Sequence, residues 1–258
     1  MSERIQYIVG TSGYSFPDWV GAFYPEGTRA EGMLEEYAKH FEAVEVNFTY
    51  YRMPTARTME SLARRTPAGF AFWVKANESI THKGDVSQTP AFLEALAPMT
   101  QADKLAGVLL QFPQSFHRTI DNRKYLAGAL ETFGATPTAV EFRHRSWQDQ
   151  ATIEGLTGRG VTLAVPDSPA IAELYHIPPT ATTRTGYLRL HSRSAQKWHA
   201  GMEQRYDYDY SAAELEAFAR QWSELAGRVD KVFAFFNNCH RGQAARNAES
   251  FRQIVEGL

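Results

Sequence analysis

A chain of 258 residues with 43% hydrophobic content buries one large core, and its length suits a single α/β barrel spanning 1–258 as well as two smaller domains. Lys plus Arg number 27 against 29 Asp plus Glu; the resulting net charge of −2 excludes a global basic field of the kind that concentrates a protein on nucleic acid. The one cysteine, Cys239, excludes an internal disulfide, no apolar run approaches the ~18 residues of a membrane span, and no charged and apolar leader precedes the first strand, so a soluble protein of a reducing cytoplasm with no membrane partner is expected.

In chain order, a first strand over 5–10 runs into a long aromatic loop containing Tyr14, Phe16, Trp19 and Tyr24. Thr28 is placed to cap a helix whose stripe is Met33, Leu34, Tyr37, Ala38 and Phe41. A second strand over 43–48, a short helix over 55–65 and a third strand over 69–77 follow. Thr89-Pro90 is an N-cap with proline in the first turn, ahead of Phe92, Leu93 and Leu96. A buried strand over 107–113 precedes a helix opened by Asp121, with Tyr125, Leu126, Ala129, Leu130 and Phe133 on its inner face.

The run 138–147 is an apolar strand pattern with two opposite charges set into it, Glu141 and Arg143, which project from one face because strand side chains alternate. A short helix over 149–158 leads to a sixth strand over 161–165 and then to Asp167. Residues 168–185 are poorly periodic, with a short helix and irregular flanks expected; a seventh strand covers 186–191. A connection of about twenty residues, rich in Arg, Trp and Tyr, is long for such a link and of the kind that carries function. Ser211 and Glu214 form a capping box ahead of Leu215, Phe218, Trp222 and Leu225, the eighth strand spans 232–236, and a last helix holds Phe251, Ile254 and Val255. Eight strands, each followed by a helix or a short candidate for one, is the pattern of a (β/α)₈ barrel. An open doubly wound sheet is disfavoured because its G-x-G-x-x-G first turn is absent.

The runs VGTSGYSFPDW with FYP, VEVNFTYYRMP, FWVKAN with ITH, VEFRHRSW, YLRLHSR, and FAFFNN followed by GQAARNA resemble the YecE-like family, also described as domain of unknown function 72. The similarity extends from the first strand to the last helix and implies a TIM-type barrel. It implies no activity, so the chemistry rests on the residues.

In such barrels reacting groups lie at the carboxyl ends of strands, above branched apolar side chains that fill the lower barrel. Glu45 with Asn47, Lys75 with Asn77, Gln111, Glu141 with Arg143, Asp167, Arg189 with His191, and Asn237 with Asn238 all fall in the later half of their strands or just beyond. Charges inside strands are costly unless paired or used, and one pocket at the C-terminal face is expected to gather them. Glu141 is a candidate general acid or base, with Lys75, Glu45 and His191 as further catalytic candidates. The competing reading makes each a partner in a structural ion-pair network.

Arg143 and Arg189 suit a carboxylate or phosphate through paired hydrogen bonds. Asn47, Asn77, Gln111, Asn237 and Asn238 would orient polar groups, and Tyr14 and Trp19 would stack at the rim with Trp147, Trp198, Tyr206, Tyr208 and Tyr210. Glu45 and Glu141 could serve as the two carboxylates of a glycosidase. His82, His144 and His240 at loop starts are weaker candidates. A divalent metal would fall to Glu141, Asp167 and His191, although adjacent cations repel it; no cofactor is expected otherwise. The leading reading is a metal-independent acid/base enzyme acting on a small polar, anionic or sugar-like ligand. The alternatives are a metal-dependent phosphoesterase or isomerase, and a nucleic-acid or metabolite-binding barrel using the loop with Lys197, Trp198, His199 and Arg205.

Overall fold

The computed structural model describes residues 4–198 and 200–258. Eight parallel strands close in sequence order into a barrel: β1 (Gln6–Ser12), β2 (Ala43–Val46), β3 (Ala71–Lys75), β4 (Leu105–Gln111), β5 (Thr138–Glu141), β6 (Thr162–Asp167), β7 (Thr185–Leu190) and β8 (Lys231–Phe236). Closure comes from β8 pairing back onto β1, in register from Gln6↔Lys231 to Thr11↔Phe236. Parallel strands require crossovers, and here helices supply most of them. Helix α1 (Met33–Tyr37) follows β1, α2 (Phe48–Tyr51) and α3 (Ala56–Arg64) follow β2, α4 (Glu78–Thr81) and α5 (Thr89–Gln101) follow β3, α6 (Ile120–Phe133) follows β4 and α7 (Gln150–Thr157) follows β5. The long connection after β7 contains α8 (Ala195–Trp198) and α9 (Met202–Arg205) before α10 (Ala212–Ser223), and α11 (Gln243–Glu256) completes the ring.

The capping box is present at α10, where the Ser211 side chain accepts from Glu214 N and Glu214 accepts from Ser211 N. Elsewhere the caps differ from expectation. Thr28 does not cap α1; its hydroxyl donates to Pro25 O, and a 3-10 turn over Ala30–Gly32 leads into the helix. Thr119 rather than Asp121 caps α6, because its hydroxyl reaches Asn122 N while Asp121 sits in the first turn. Thr89 is the first residue of α5, preceded by a 3-10 turn that Asp85 caps.

No helix forms in 168–184. Pro169, Pro178 and Pro179 remove backbone donors from this stretch, and two bonds tie its middle to the chain beyond β5: Tyr175 N donates to Arg143 O and Arg145 N to Glu173 O.

The apolar interior divides in two. The larger cluster lies between the sheet and the helices and includes Leu126, Leu130, Phe133, Leu215, Phe218, Trp222 and Phe251 from the expected stripes. The smaller one plugs the barrel: Trp73, Tyr187, Phe233 and Phe235 against Ala43, Ala139, Ala164 and Leu109. Large rings opposite alanines therefore replace the branched fill that the sequence suggests. Trp73 meets Tyr187 edge-on at 4.7 Å and Phe233 at 5.6 Å between ring centroids. Gly107 is required beside it, since a Cβ there would come within 2.5 Å of the Trp73 ring.

Candidate functional site

Side chains two apart on a strand share a face, so the strands that contribute the plug also aim the next inward residue at the C-terminal mouth. Above Ala43 stands Glu45, above Trp73 Lys75, above Leu109 Gln111, above Ala139 Glu141, above Tyr187 Arg189, and beyond Phe235 Asn237. Sequence alternation thus converts an apolar layer into a polar one within a single residue pair.

The polar layer is a chain of charges. Arg189 donates through Nη2 to Glu45 Oε1 at 2.6 Å, through Nε to Glu45 Oε2 at 2.8 Å, and through Nη1 to Glu141 Oε2 at 2.6 Å. Tyr187 OH also donates to Glu45 Oε2, at 2.7 Å. Arg143 lies past the end of β5, with its Nε forming an ion pair with Glu141 Oε1 out of line for a hydrogen bond. Its Nη2 meets His191 Nε2 at 3.1 Å, and His191 Nδ1 meets the Asn237 amide at 2.9 Å. A guanidinium only donates, so Nε2 is the acceptor and the imidazole proton is assigned to Nδ1; the Asn237 atom placed there is Nδ2, so the amide is assigned the flipped orientation in which its oxygen accepts.

Glu45, Glu141 and His191 have no exposed surface and Arg189 has 1%. Burial alone would raise the Glu141 pKa, but Arg143 and Arg189 beside it hold its carboxyl well below the usual range. Burial likewise opposes ionisation of Glu45, and Arg189 overcomes it. His191 is pushed down to about 3 by burial and by Arg143, so it is neutral. Two carboxylates thus balance two guanidiniums.

Lys75 is the additional cation. Its Nζ donates to Gln111 Oε1 at 2.7 Å and lies 4.2 Å from the centre of the Tyr50 ring; among the described residues no carboxylate pairs with it. Gln111 is itself oriented by donating Nε2 to Phe112 O at 2.8 Å. Loss of water and the positive charge of Arg189 bring the Lys75 pKa down to about 7, against the opposing pull of Glu141. His82, edge-on to Tyr50 at 4.9 Å, is lowered to about 4 by burial and by Lys75. Arg143 faces Trp198, 6.0 Å from its ring centre, and Tyr206 lies 6.4 Å from the His191 ring.

The structure brings together Glu45, Lys75, Gln111, Glu141, Arg143, Arg189, His191 and Asn237. Other candidates have structural partners. Asn77 caps α4 by accepting from Ser79 N, and donates to the carbonyls of Thr49 and Tyr50. Asn238 donates to Tyr208 O and Asn247 Oδ1. Trp19 is fully buried and donates Nε1 to Cys239 O at 2.7 Å, so it packs the first loop instead of stacking at the rim. Tyr14 packs against Tyr37 and accepts the Tyr24 hydroxyl at its backbone oxygen. Trp147 is buried in a stack with Phe142 and Phe116. Asn47 lies just beyond β2, where its buried Oδ1 has no partner among the described residues.

Two further readings meet physical obstacles. Arg189 commits its whole fork to carboxylates and has no surface for a ligand anion; Glu45 and Glu141 flank that guanidinium rather than an open cleft. Asp167 stands three residues after inward-facing Ala164, hence on the opposite face of β6, where it accepts from Arg193 at 3.0 Å and Tyr210 OH at 2.7 Å. Among the described residues no group of three His, Cys, Asp or Glu side chains is disposed to hold a metal, so Glu141, Asp167 and His191 are not gathered. In the long loop, Lys197 pairs with Asp207 and Arg205 donates to Trp198 O, so both cations have internal partners; His199 lies outside the described residues. Tyr50 is the mouth residue that sequence reasoning passes over. Its signal is the aromatic run Phe48-Thr49-Tyr50-Tyr51 directly after the Glu45 strand.

No helix among the described residues is long and apolar enough to cross a membrane. The family described as "Protein of unknown function DUF72" matches residues 8–257. The chain is similar to the UPF0759 protein YunF of Bacillus subtilis (strain 168), 31% identical over 96% of this chain and 94% of that protein. It is also similar to the UPF0759 protein YecE of Escherichia coli (strain K12), 28% identical over 62% of this chain and 58% of that protein. Among solved structures, a DUF72 family protein from Thermotoga maritima MSB8 superposes with a TM-score of 0.90 at 38% identity, covering 97% of this chain and 99% of that one.

Proposed function

The chain belongs to the DUF72 family and has its TIM-barrel fold, and from that premise we propose that it is a metal-independent acid/base enzyme acting on a small anionic substrate at the C-terminal mouth of the barrel. The observation that carries this reading is the uncompensated Lys75 amine beside a charge-balanced network. A lysine whose pKa is brought down to about 7 exists in comparable amounts as acid and base at neutral pH, which is what proton transfer requires. Glu141, held ionised between two guanidiniums, is a poor proton carrier. Its part is to fix Arg143 and Arg189, and Glu45 fixes Arg189 from the other side.

Arg143 is the guanidinium that meets the substrate. Its side chain retains 15% exposure where that of Arg189 retains 2%, and among the described residues its Nη2 has only the neutral His191 as hydrogen-bond partner. Gln111 and Asn47 would orient oxygen or hydroxyl groups beside Lys75. Metal independence is supported by the donor set: Arg143, Arg189 and Lys75 surround Glu141 and His191 with positive charge, and Asp167 faces the other side of the sheet.

Calorimetric titration of the purified protein with a panel of small phosphates and carboxylates tests this. At least one should bind, and Arg143→Met should weaken it about tenfold or more, the loss expected of a charge-assisted contact worth about 1.5–3 kcal/mol. A binder unaffected by Arg143→Met, or no binder in the panel, overturns the reading.

A further inference from the structure

From the placement of its amine, we infer that Lys75 is a nucleophile that condenses with the carbonyl carbon of a small aldehyde or ketone carrying an anionic group, forming an imine as the covalent intermediate. This deepens the reading above and rests on it for the location of the substrate.

Among the described residues Lys75 has no carboxylate partner. A lysine at the end of a barrel strand that served only as a fixed charge would be placed against a carboxylate, and two carboxylates lie in the same layer. Both are closed by arginine: Glu45 by the Nε and Nη2 of Arg189, Glu141 by the Nη1 of Arg189 and by Arg143. Among the described residues the lysine instead has one neutral acceptor, Gln111 Oε1, and the face of Tyr50. A single acceptor uses one N–H and fixes the direction of the C–N bond, while leaving the nitrogen lone pair of the neutral amine free to attack. The groups facing it are Glu45 from β2, Glu141 from β5 with Arg143 just beyond it, Arg189 from β7 and His82 at the end of α4; the two carboxylates and two guanidiniums balance, and loss of water, with Arg189 foremost among the charges, favours the neutral amine.

In the first step the Lys75 lone pair adds to the carbonyl carbon, the carbonyl π pair passes to its oxygen, and the amine proton follows to that oxygen, giving a carbinolamine. In the second, the hydroxyl takes up a proton from solvent and leaves as water, and the nitrogen lone pair forms the C=N bond. The resulting protonated imine withdraws electrons from the adjacent carbon and assists cleavage of a bond to hydrogen, carbon or a leaving group there. Arg143, at the exposed end of the charge chain, would hold the anionic substituent while Asn47 Oδ1, buried and unpartnered, would accept from a hydroxyl on the substrate or on the carbinolamine.

The test is reductive trapping. The intact protein is treated with glyoxylate, an aldehyde bearing a carboxylate, and in parallel with the uncharged propionaldehyde, each with borohydride, and the modified lysines are mapped by peptide mass spectrometry. Lys75 should be labelled by glyoxylate at least tenfold faster than surface Lys39 and Lys83, with a rate that rises with pH to a midpoint near 7. Lys75→Arg should abolish the fast label while preserving the fold by circular dichroism. If Lys75 reacts with both aldehydes equally, the nucleophile stands and Arg143 is removed as the anion holder. If glyoxylate labels Lys75 no faster than the surface lysines, the imine is overturned whatever the calorimetric panel shows.

Discussion

Two clusters of carboxylates and guanidiniums sit on opposite faces of this sheet, and they are built to different ends. On the outer face, Asp167 accepts from Arg193 and Tyr210, Glu214 accepts from Arg193 and Tyr208, and the Arg193 guanidinium lies 4.6 Å from the centre of the Phe218 ring. That cluster ties the start of the long loop after β7 to α10, beside the stretch where no helix covers β6. Its arginine side chain is 36% exposed, and water shares the charge. On the inner face, Arg189 has 2% exposure and its neighbours must satisfy it entirely. What differs is pairing: in the outer cluster each carboxylate and the guanidinium has an oppositely charged partner, whereas the inner one closes without Lys75.

The sharpest way to break this contrast is to remove each arginine. Arg189→Met leaves Glu45 and Glu141 buried without their shared cation and should cost about 3–5 kcal/mol in urea denaturation. Arg193→Met should cost about 1 kcal/mol or less, because solvent already screens its pairs. Equal losses would erase the distinction between the two faces.

The effect of Lys75→Met should change in size with pH. With a folded pKa near 7 and the ordinary ~10.4 in the unfolded chain, the unfolded state holds more protons between those values, so the parent protein gains stability as pH rises through that window. Below pH 7 the charge is buried in full, and the methionine variant should be the more stable of the two. Denaturant midpoints at pH 6 and pH 9 should show that advantage shrinking, and a constant difference would place Lys75 in an ordinary environment.

The smallest effect is that of Tyr50→Leu. Removing a ring face worth about 0.5–1 kcal/mol to the ammonium should lower the Lys75 midpoint by less than one pH unit, read from the pH dependence of its labelling. An upward shift would mean that the ring disfavours the cation.

Much of the inner layer was legible from alternation alone. Glu45, Lys75, Gln111, Glu141, Arg189 and Asn237 each fall an even number of positions from an inward plug residue, and the sequence carries that period. Asp167 lies beyond the reach of that alternation. A strand read as 161–165 leaves position 167 beyond its end with no assigned face, whereas β6 continues through it and turns it outward. Arg189 fails as an anion holder for another reason: its occupying partner, Glu45, stands 144 positions away, and no local pattern reports a contact at that separation. The same blindness hides the plug, since the fit of Trp73 over Gly107 depends on the pairing of β3 with β4. The helix expected in 168–185 is absent where three prolines remove donors and where Glu173 O and Tyr175 N pair with Arg145 and Arg143, about thirty positions away, instead of within a helix.

The Arg189 fork has a consequence for how the molecule comes into being at the ribosome. Glu45 emerges early and Arg189 only when about three quarters of the chain has been made, so a nascent polypeptide that closed its first strands around Glu45 would trap a bare carboxylate in apolar surroundings. A truncated product ending before β7 lacks the counterion that Glu45 takes in the finished barrel.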